Sequence, residues 1–272
     1  MLIERIDKAL IDAAGKEDRG SPLRLSSAGR CARQTAYKLH NFESEPLSAR
    51  RLRTFEYGHQ TEAAIRKWAA DAGVEILDAQ KEVVLDCGDG LLVPGHIDGR
   101  FVVDGVNWHL EVKSISTDGF LRAAAGGPDY SYVATANAYM EADGVSHTLF
   151  IFMDKNDQDL CESVVLPKPD LVEEVKRRFH RIAASKPDAL PDREHAPVAE
   201  KGAWRGGAAP AGTPPELVTK KGWYKPSGRK VLPWECSYCD YKRQCWGVGE
   251  PEFAGGKPVW VVEESALSGF MK

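Results

Sequence analysis

LLVPGHIDGRFVVDGVNWHLEVKSIS, residues Leu91 to Ser116, is rich in β-branched and aromatic residues, yet it sets Asp98, Glu111 and Lys113 among them. Residues two apart in a strand point the same way, so Glu111 and Lys113 are neighbours on one face. Burying such a pair without partners costs several kcal/mol, on the order quoted for desolvated ions. The pair therefore lies either at an exposed sheet edge or where something binds.

Around this stretch, turn signals at Gly88-Asp89-Gly90 and Asp104-Gly105 divide residues 82–116 into three antiparallel strands in a meander. Upstream, apolar spacing predicts a helix over 2–14, a second from about Ala28 to Leu39 capped by Ser26 or Ser27, and a third from about Leu52 to Ala72 stopped by Gly73. Downstream, YSYVATANAYMEADG reads as a helix closed by Gly144. HTLFIFMDK reads as a buried strand with LCESVVL as its partner, and DLVEEVKRRFHRIAAS as a charged amphipathic helix. The fold class is α/β. Residues from about 186 to 233 are rich in Pro, Gly and Ala and read as a long, partly mobile excursion.

The chain has 272 residues, 43% of them hydrophobic, enough for one large domain or two small ones. It carries no apolar run of the roughly 18 residues a membrane span needs, and its charged N-terminus is not a secretory signal, so a cytoplasmic location is expected. A net charge of -4 argues against coating nucleic acid by charge alone, but not against a nucleic-acid enzyme whose metal site gathers carboxylates.

Asp98 and Glu111 are separated by twelve residues, and Lys113 completes an E-x-K. Hard divalent cations take oxygen ligands, which two carboxylates and the Val112 carbonyl supply. A lysine on that face orients or deprotonates a water, or neutralises charge on a phosphate. In YGHQTEAAI, His59 and Glu62 share one helical face, from which Glu62 can join the metal site. His96, two residues before Asp98, reads equally as a substrate contact or a structural histidine.

The ordered series YGHQTEAAI, PGHIDG, LEVKS and YVATANAYM resembles the motifs of the PD-(D/E)XK nuclease superfamily, in its RecB-like and lambda-exonuclease-like branch. The resemblance covers about Leu52 to Asp154. It implies a restriction-endonuclease-like core and cleavage of DNA phosphodiesters with Mg2+ or Mn2+. By motif, Asp98 and Glu111 correspond to metal ligands, Lys113 to the catalytic lysine, Glu62 to the helical acid and Tyr139 to the tyrosine of the later helix. Where relatives carry a glutamine four residues before that tyrosine, this chain has Thr135.

Cys236, Cys239 and Cys245 form C-x2-C-x5-C, one ligand short of a four-cysteine site. The branch that contains the CRISPR adaptation nuclease and the AddB recombination nuclease has one cysteine far upstream and three near the C-terminus. That pattern implies Cys31 as fourth ligand of a [4Fe-4S] cluster joining the N- and C-terminal segments. Thiolate spacing alone leaves Zn2+ open as the alternative. Cys87 and Cys161 read as ordinary buried cysteines.

The expected organisation is an N-terminal helical segment over 1–50, a nuclease core over 51–187, the excursion over 188–233 and a cysteine segment with tail over 234–272. The expected activity is a deoxyribonuclease, an exonuclease on single-stranded DNA ends in recombination, repair or phage DNA processing. The chain lacks a G-x-x-x-x-G-K-[ST] motif, so unwinding would come from a helicase or recombination partner. The alternatives are an endonuclease of the same fold, a non-catalytic DNA-binding or scaffold subunit, and a zinc-stabilised regulator.

Overall fold

In the computed structural model, residues 1–14, 21–254 and 257–267 are described. They belong to two units, one of Met1–His40 with Pro46–Ala189 and one of Asn41–Glu45 with Leu190–Lys272. Among the described residues no helix is long and apolar enough to cross a membrane.

The first unit is built on β4 (Val106–Ile115), in which Leu110 and Val112 are buried on one face while Glu111 and Lys113 stand on the other. It pairs antiparallel with β3 (Gly99–Val103) and parallel with β5 (Thr148–Asp154), which pairs antiparallel with β6 (Leu160–Val165). The order β3-β4-β5-β6 makes β4 internal, so Glu111 and Lys113 are not at a sheet edge. Parallel strands need a crossover. Here it is α4 (Thr117–Gly126) and α5 (Tyr130–Asp143). The result is a mixed sheet flanked by helices, as in restriction-endonuclease-like cores.

Each face is covered by one long helix. Ile65 of α3 (Ala49–Asp71) packs on Phe101, Leu110, Val112 and Met153. Ala136 and Met140 of α5 pack on Phe150 and Phe152. Burying each such side chain contributes about 1.5–3 kcal/mol. Ser48 caps α3 and Asp129 caps α5, each accepting backbone N–H bonds. Gly144, at φ 66°, ends α5 in the left-handed conformation glycine adopts freely.

A polar bolt ties α5 to the strands. Asp143, 5% exposed, accepts hydrogen bonds from Arg100 on β3 (2.6 Å), His109 on β4 (2.7 Å) and Lys81 (3.2 Å). Burial alone would raise the Asp143 carboxyl, but these donors more than reverse that and hold it at about 2. Burial pushes His109 below the usual imidazole range, against the pull of Asp143.

Two sequence expectations are corrected and one helix is added. The three-strand meander is four strands: β1 (Glu82–Asp86) with β2 (Leu92–His96) form a separate two-stranded sheet. The chain leaves β2 after His96 and starts β3 at Gly99. The second helix, α2, runs Ala32–Leu39 rather than from Ala28, and Leu25–Ser27 form a 3-10 turn. Gly29 lies so close to the Ser131 backbone that a Cβ there would come within 2.2 Å of its carbonyl oxygen. Helix α4 was not anticipated. The helix expected over DLVEEVKRRFHRIAAS is α6 (Pro169–Ala183).

The excursion of the second unit holds a sheet of order β7-β9-β8, made of β7 (Val198–Gly206), β8 (Val218–Thr219) and β9 (Gly222–Val231). A separate apolar cluster of Leu232, Trp246, Val248, Trp260 and Val262 is bordered by Cys236 and Cys245. The last five residues of the tail lie outside the described residues.

Candidate active site

Register explains how Asp98 reaches β4. Gly99 pairs with Leu110, so an unbroken strand would set Ile97 opposite Val112. Instead the chain turns away at Asp98, and its Oδ2 accepts the Val112 amide at 3.1 Å in place of a backbone carbonyl. A strand residue's amide and carbonyl leave on the same side, so the Val112 carbonyl faces the same gap.

Glu111 and Lys113 are ion-paired, and the Lys113 ammonium lies 3.9 Å from Asp98. Side-chain exposures of 14% for Asp98, 17% for Glu111, 28% for Lys113 and 18% for Glu62 describe a cluster that is mostly buried yet still reached by solvent. Glu62 comes from α3, where Arg66 faces it at 3.8 Å. Burial raises the Glu62 carboxyl and Asp98 raises it further, against Lys113, His59 and Arg66. Glu111 is likewise raised, mainly by burial, with Lys113 opposing and Asp98 and Glu62 adding to the rise. Burial disfavours the Lys113 ammonium, but Glu111 and Asp98 outweigh it and keep lysine charged above its ordinary range. Burial first, and neighbouring carboxylates second, thus raise Glu62 and Glu111 around one ammonium.

Tyr139 is buried on α5, and burial and the Glu111 charge raise its phenol above the usual range. The His96 backbone interacts with that phenol, but the His96 side chain is exposed, 3.7 Å from Glu82 across the β1–β2 pair. The expected shared strand face of His96 and Asp98 ends where β2 ends. The glycine of PGHIDG has a steric reason: a Cβ at Gly95 would come within 2.8 Å of the Tyr139 ring and 2.7 Å of Leu25. Thr135, in the slot where relatives carry glutamine, is half-buried. Asn137 is committed elsewhere, bridging the Val133 carbonyl and the Lys168 amide.

Tyr132 heads the YVATANAYM motif, although only Tyr139 was expected to have a role in the site. The Tyr132 ring lies 5.8 Å from Phe150 and 6.0 Å from Phe152, the register partners of Glu111 and Lys113. Burial raises its phenol, Lys113 opposes, and Glu111 adds to the rise, so it shares the electrostatics of the site. The signal was its place seven residues before Tyr139, two turns along the same helical face.

In the second unit, Cys239 Sγ accepts the Tyr241 amide at 3.5 Å. Lys242 stands 4.4 Å over the Trp260 ring and Arg193 4.3 Å over that of Trp246. Cys31 belongs to the first unit. Buried Cys87 is pushed up to about 11 by desolvation, the state of an unreactive thiol.

No protein-family model and no curated protein matches the chain. Among solved structures, the crystal structure of SSO0001 matches with a TM-score of 0.53 at 13% identity, over 90% of this chain and 96% of that one. At that identity the likeness is one of fold. The alkaline exonuclease LHK-Exo from Laribacter hongkongensis matches with a TM-score of 0.39 at 16% identity, over 48% of this chain and 66% of that one. A phage-related exonuclease from Haemophilus somnus 129PT matches with a TM-score of 0.40 at 12% identity, over 58% and 90% of the two chains.

Proposed function

We propose that the chain is a divalent-metal-dependent deoxyribonuclease of the PD-(D/E)XK type. The observation that carries the reading is the gathering of Asp98, Glu111 and Lys113 at the break between β2 and β3, with Glu62 in electrostatic range. The donor set fits a hard cation, since crowded carboxylates with raised pKa values are what such an ion relieves. Asp98, Glu111, Glu62 and the Val112 carbonyl would hold Mg2+ or Mn2+. When bound, such an ion supplies Lewis acidity toward water and the phosphate. The protein's own part is electrostatic and positional. Lys113, kept charged by its carboxylates, is a donor aimed at negative charge that develops on the phosphate. Tyr132 and Tyr139 of α5 stand within electrostatic range of Glu111 and Lys113.

The reading extends to exonuclease action on single-stranded DNA ends. Linear single-stranded DNA is expected to be degraded with manganese, while a closed circle of the same sequence survives. Equal loss of circle and line would make the protein an endonuclease. Survival of both would leave a DNA-binding or scaffold subunit.

For the cysteines the reading is a [4Fe-4S] cluster. Its support is the C-x2-C-x5-C spacing, with Cys236 and Cys245 bordering one apolar cluster of the second unit and Cys239 Sγ accepting the Tyr241 amide. Anaerobically purified protein is expected to be brown, with about four irons per chain. Cys239→Ser should lose them, and Cys31→Ser tests the fourth ligand implied by the resemblance. Zinc in place of iron would overturn the cluster.

A further inference from the structure

The sheet of the second unit concentrates positive charge. Residues 198–231 carry seven lysines and arginines against two glutamates, a net charge of +5 in a chain of net charge -4. All seven cationic residues are exposed. Arg229 is engaged by Glu200 and Glu252. Lys220 and Lys221 occupy the turn between β8 and β9, immediately before Gly222.

Beside that turn lies a flat aromatic surface. Trp204 on β7 pairs across the sheet with Tyr224 on β9, and Gly206 pairs with Gly222. The Trp204 indole lies against the two glycines: a Cβ at Gly222 would come within 2.9 Å of its Cζ2, and one at Gly206 within 3.4 Å of its Cη2. One face of the ring is therefore covered by backbone, yet the residue is 51% exposed, so the rest of it meets solvent. Lys201 stands 5.1 Å from the centroid of the neighbouring Tyr224 ring. An aromatic laid over strand glycines is a known way to shield their backbone. Shielding accounts for the covered face. It does not account for the exposed half of the ring, nor for the charge of +5 that this sheet carries.

We infer that this sheet face binds single-stranded nucleic acid, with a base stacked on Trp204 and phosphates held by Lys220 and Lys221. Every base has a π-face, and stacking on an aromatic beside a cationic groove is the chemistry of sequence-tolerant single-strand binding. A duplex hides its base faces, so a paired end is the poorer ligand. The inference rests on the nuclease reading for its choice of polyanion and deepens it by assigning a substrate-holding surface apart from the carboxylates.

The test is fluorescence anisotropy of a labelled oligothymidylate with the full chain, in chelator so that no cleavage intervenes. Trp204→Ala is expected to weaken binding about 5- to 150-fold, the range for one lost base stack. Trp204→Phe, which keeps a ring over the glycines, should retain most of the affinity and so separates stacking from misfolding. Replacing Lys220 and Lys221 by Ser should reduce the slope of log affinity against log salt by about 1.4, at about 0.7 per phosphate on single strands. Wild-type binding by Trp204→Ala, or an unchanged salt slope in the double lysine variant, would overturn the inference. Neither result bears on cleavage. Conversely, a chain that binds through Trp204 yet cuts nothing would sink the nuclease reading and leave this surface standing.

Discussion

Asp98→Ala is expected to lose metal-dependent DNA cleavage by more than about 100-fold, since even outer-shell partners of metal sites are worth 10- to 100-fold. The chain should remain folded. The substitution removes the acceptor of the Val112 amide, a cost of about 1–3 kcal/mol. It also removes the Asp98 charge that adds to the burial-driven rise of Glu62 and Glu111, which offsets part of that cost. Asp98→Asn sharpens the test, because its carbonyl still accepts the amide while the charge is gone. If Asp98 works only as a structural acceptor, the asparagine variant stays active. If it is a metal ligand, both variants are inactive. Lys113→Ala should bind DNA but turn over about 10²- to 10³-fold more slowly, the scale of one lost charge stabiliser.

The largest effect on stability is expected at Asp143. Asp143→Ala leaves Arg100 and His109, the latter 3% exposed, without their shared acceptor. Breaking a buried pair in this way costs about 3–5 kcal/mol. In a unit of this size that corresponds to a fall in Tm on the order of 10 °C, read by thermal melting. The pH dependence has a definite sign. The Asp143 carboxyl is held at about 2, below its ordinary 3.8, so its contribution is complete above that ordinary value and is lost as pH falls toward 2. His109 is also depressed, so from about 6.5 downward the unfolded chain takes up its proton first and stability falls in the same direction. Wild-type protein should therefore lose stability progressively in acid, and Asp143→Ala should lack the step between about 4 and 2. A variant melting at the wild-type temperature would show that the cluster does not hold α5 to the strands.

Much of this architecture is legible in the sequence because its signals are local. The glycine that follows α3, the glycine that ends α5 and the run of β5 each lie within a few residues. The break at Ile97–Asp98 is not local. Alternation continues through it, and only the register of β3 on β4 shows that a side chain replaces a ladder bond there. Helix α4 was missed because TDGFLRAAAG is short and has two glycines. Its cap, Ser116 accepting the Gly119 amide, follows directly on a strand. Tyr132 stood in a motif without a role because its contacts are to residues of β5, distant in the chain. The sheet of the second unit was hidden by its composition, since glycine and proline read as loop. The pairing of Gly206 with Gly222 under Trp204 exists only once the strands are in register.

The site account rests on one claim, that Asp98, Glu111 and Lys113 with Glu62 form a divalent-cation-dependent phosphodiesterase centre. Digestion of end-labelled single-stranded DNA by the wild-type chain, with magnesium, with manganese and with chelator alone, addresses it most directly. The account predicts shortened products with at least one of the two ions and none in chelator. Cleavage at the same rate in chelator, or intact DNA under all three conditions, would contradict it.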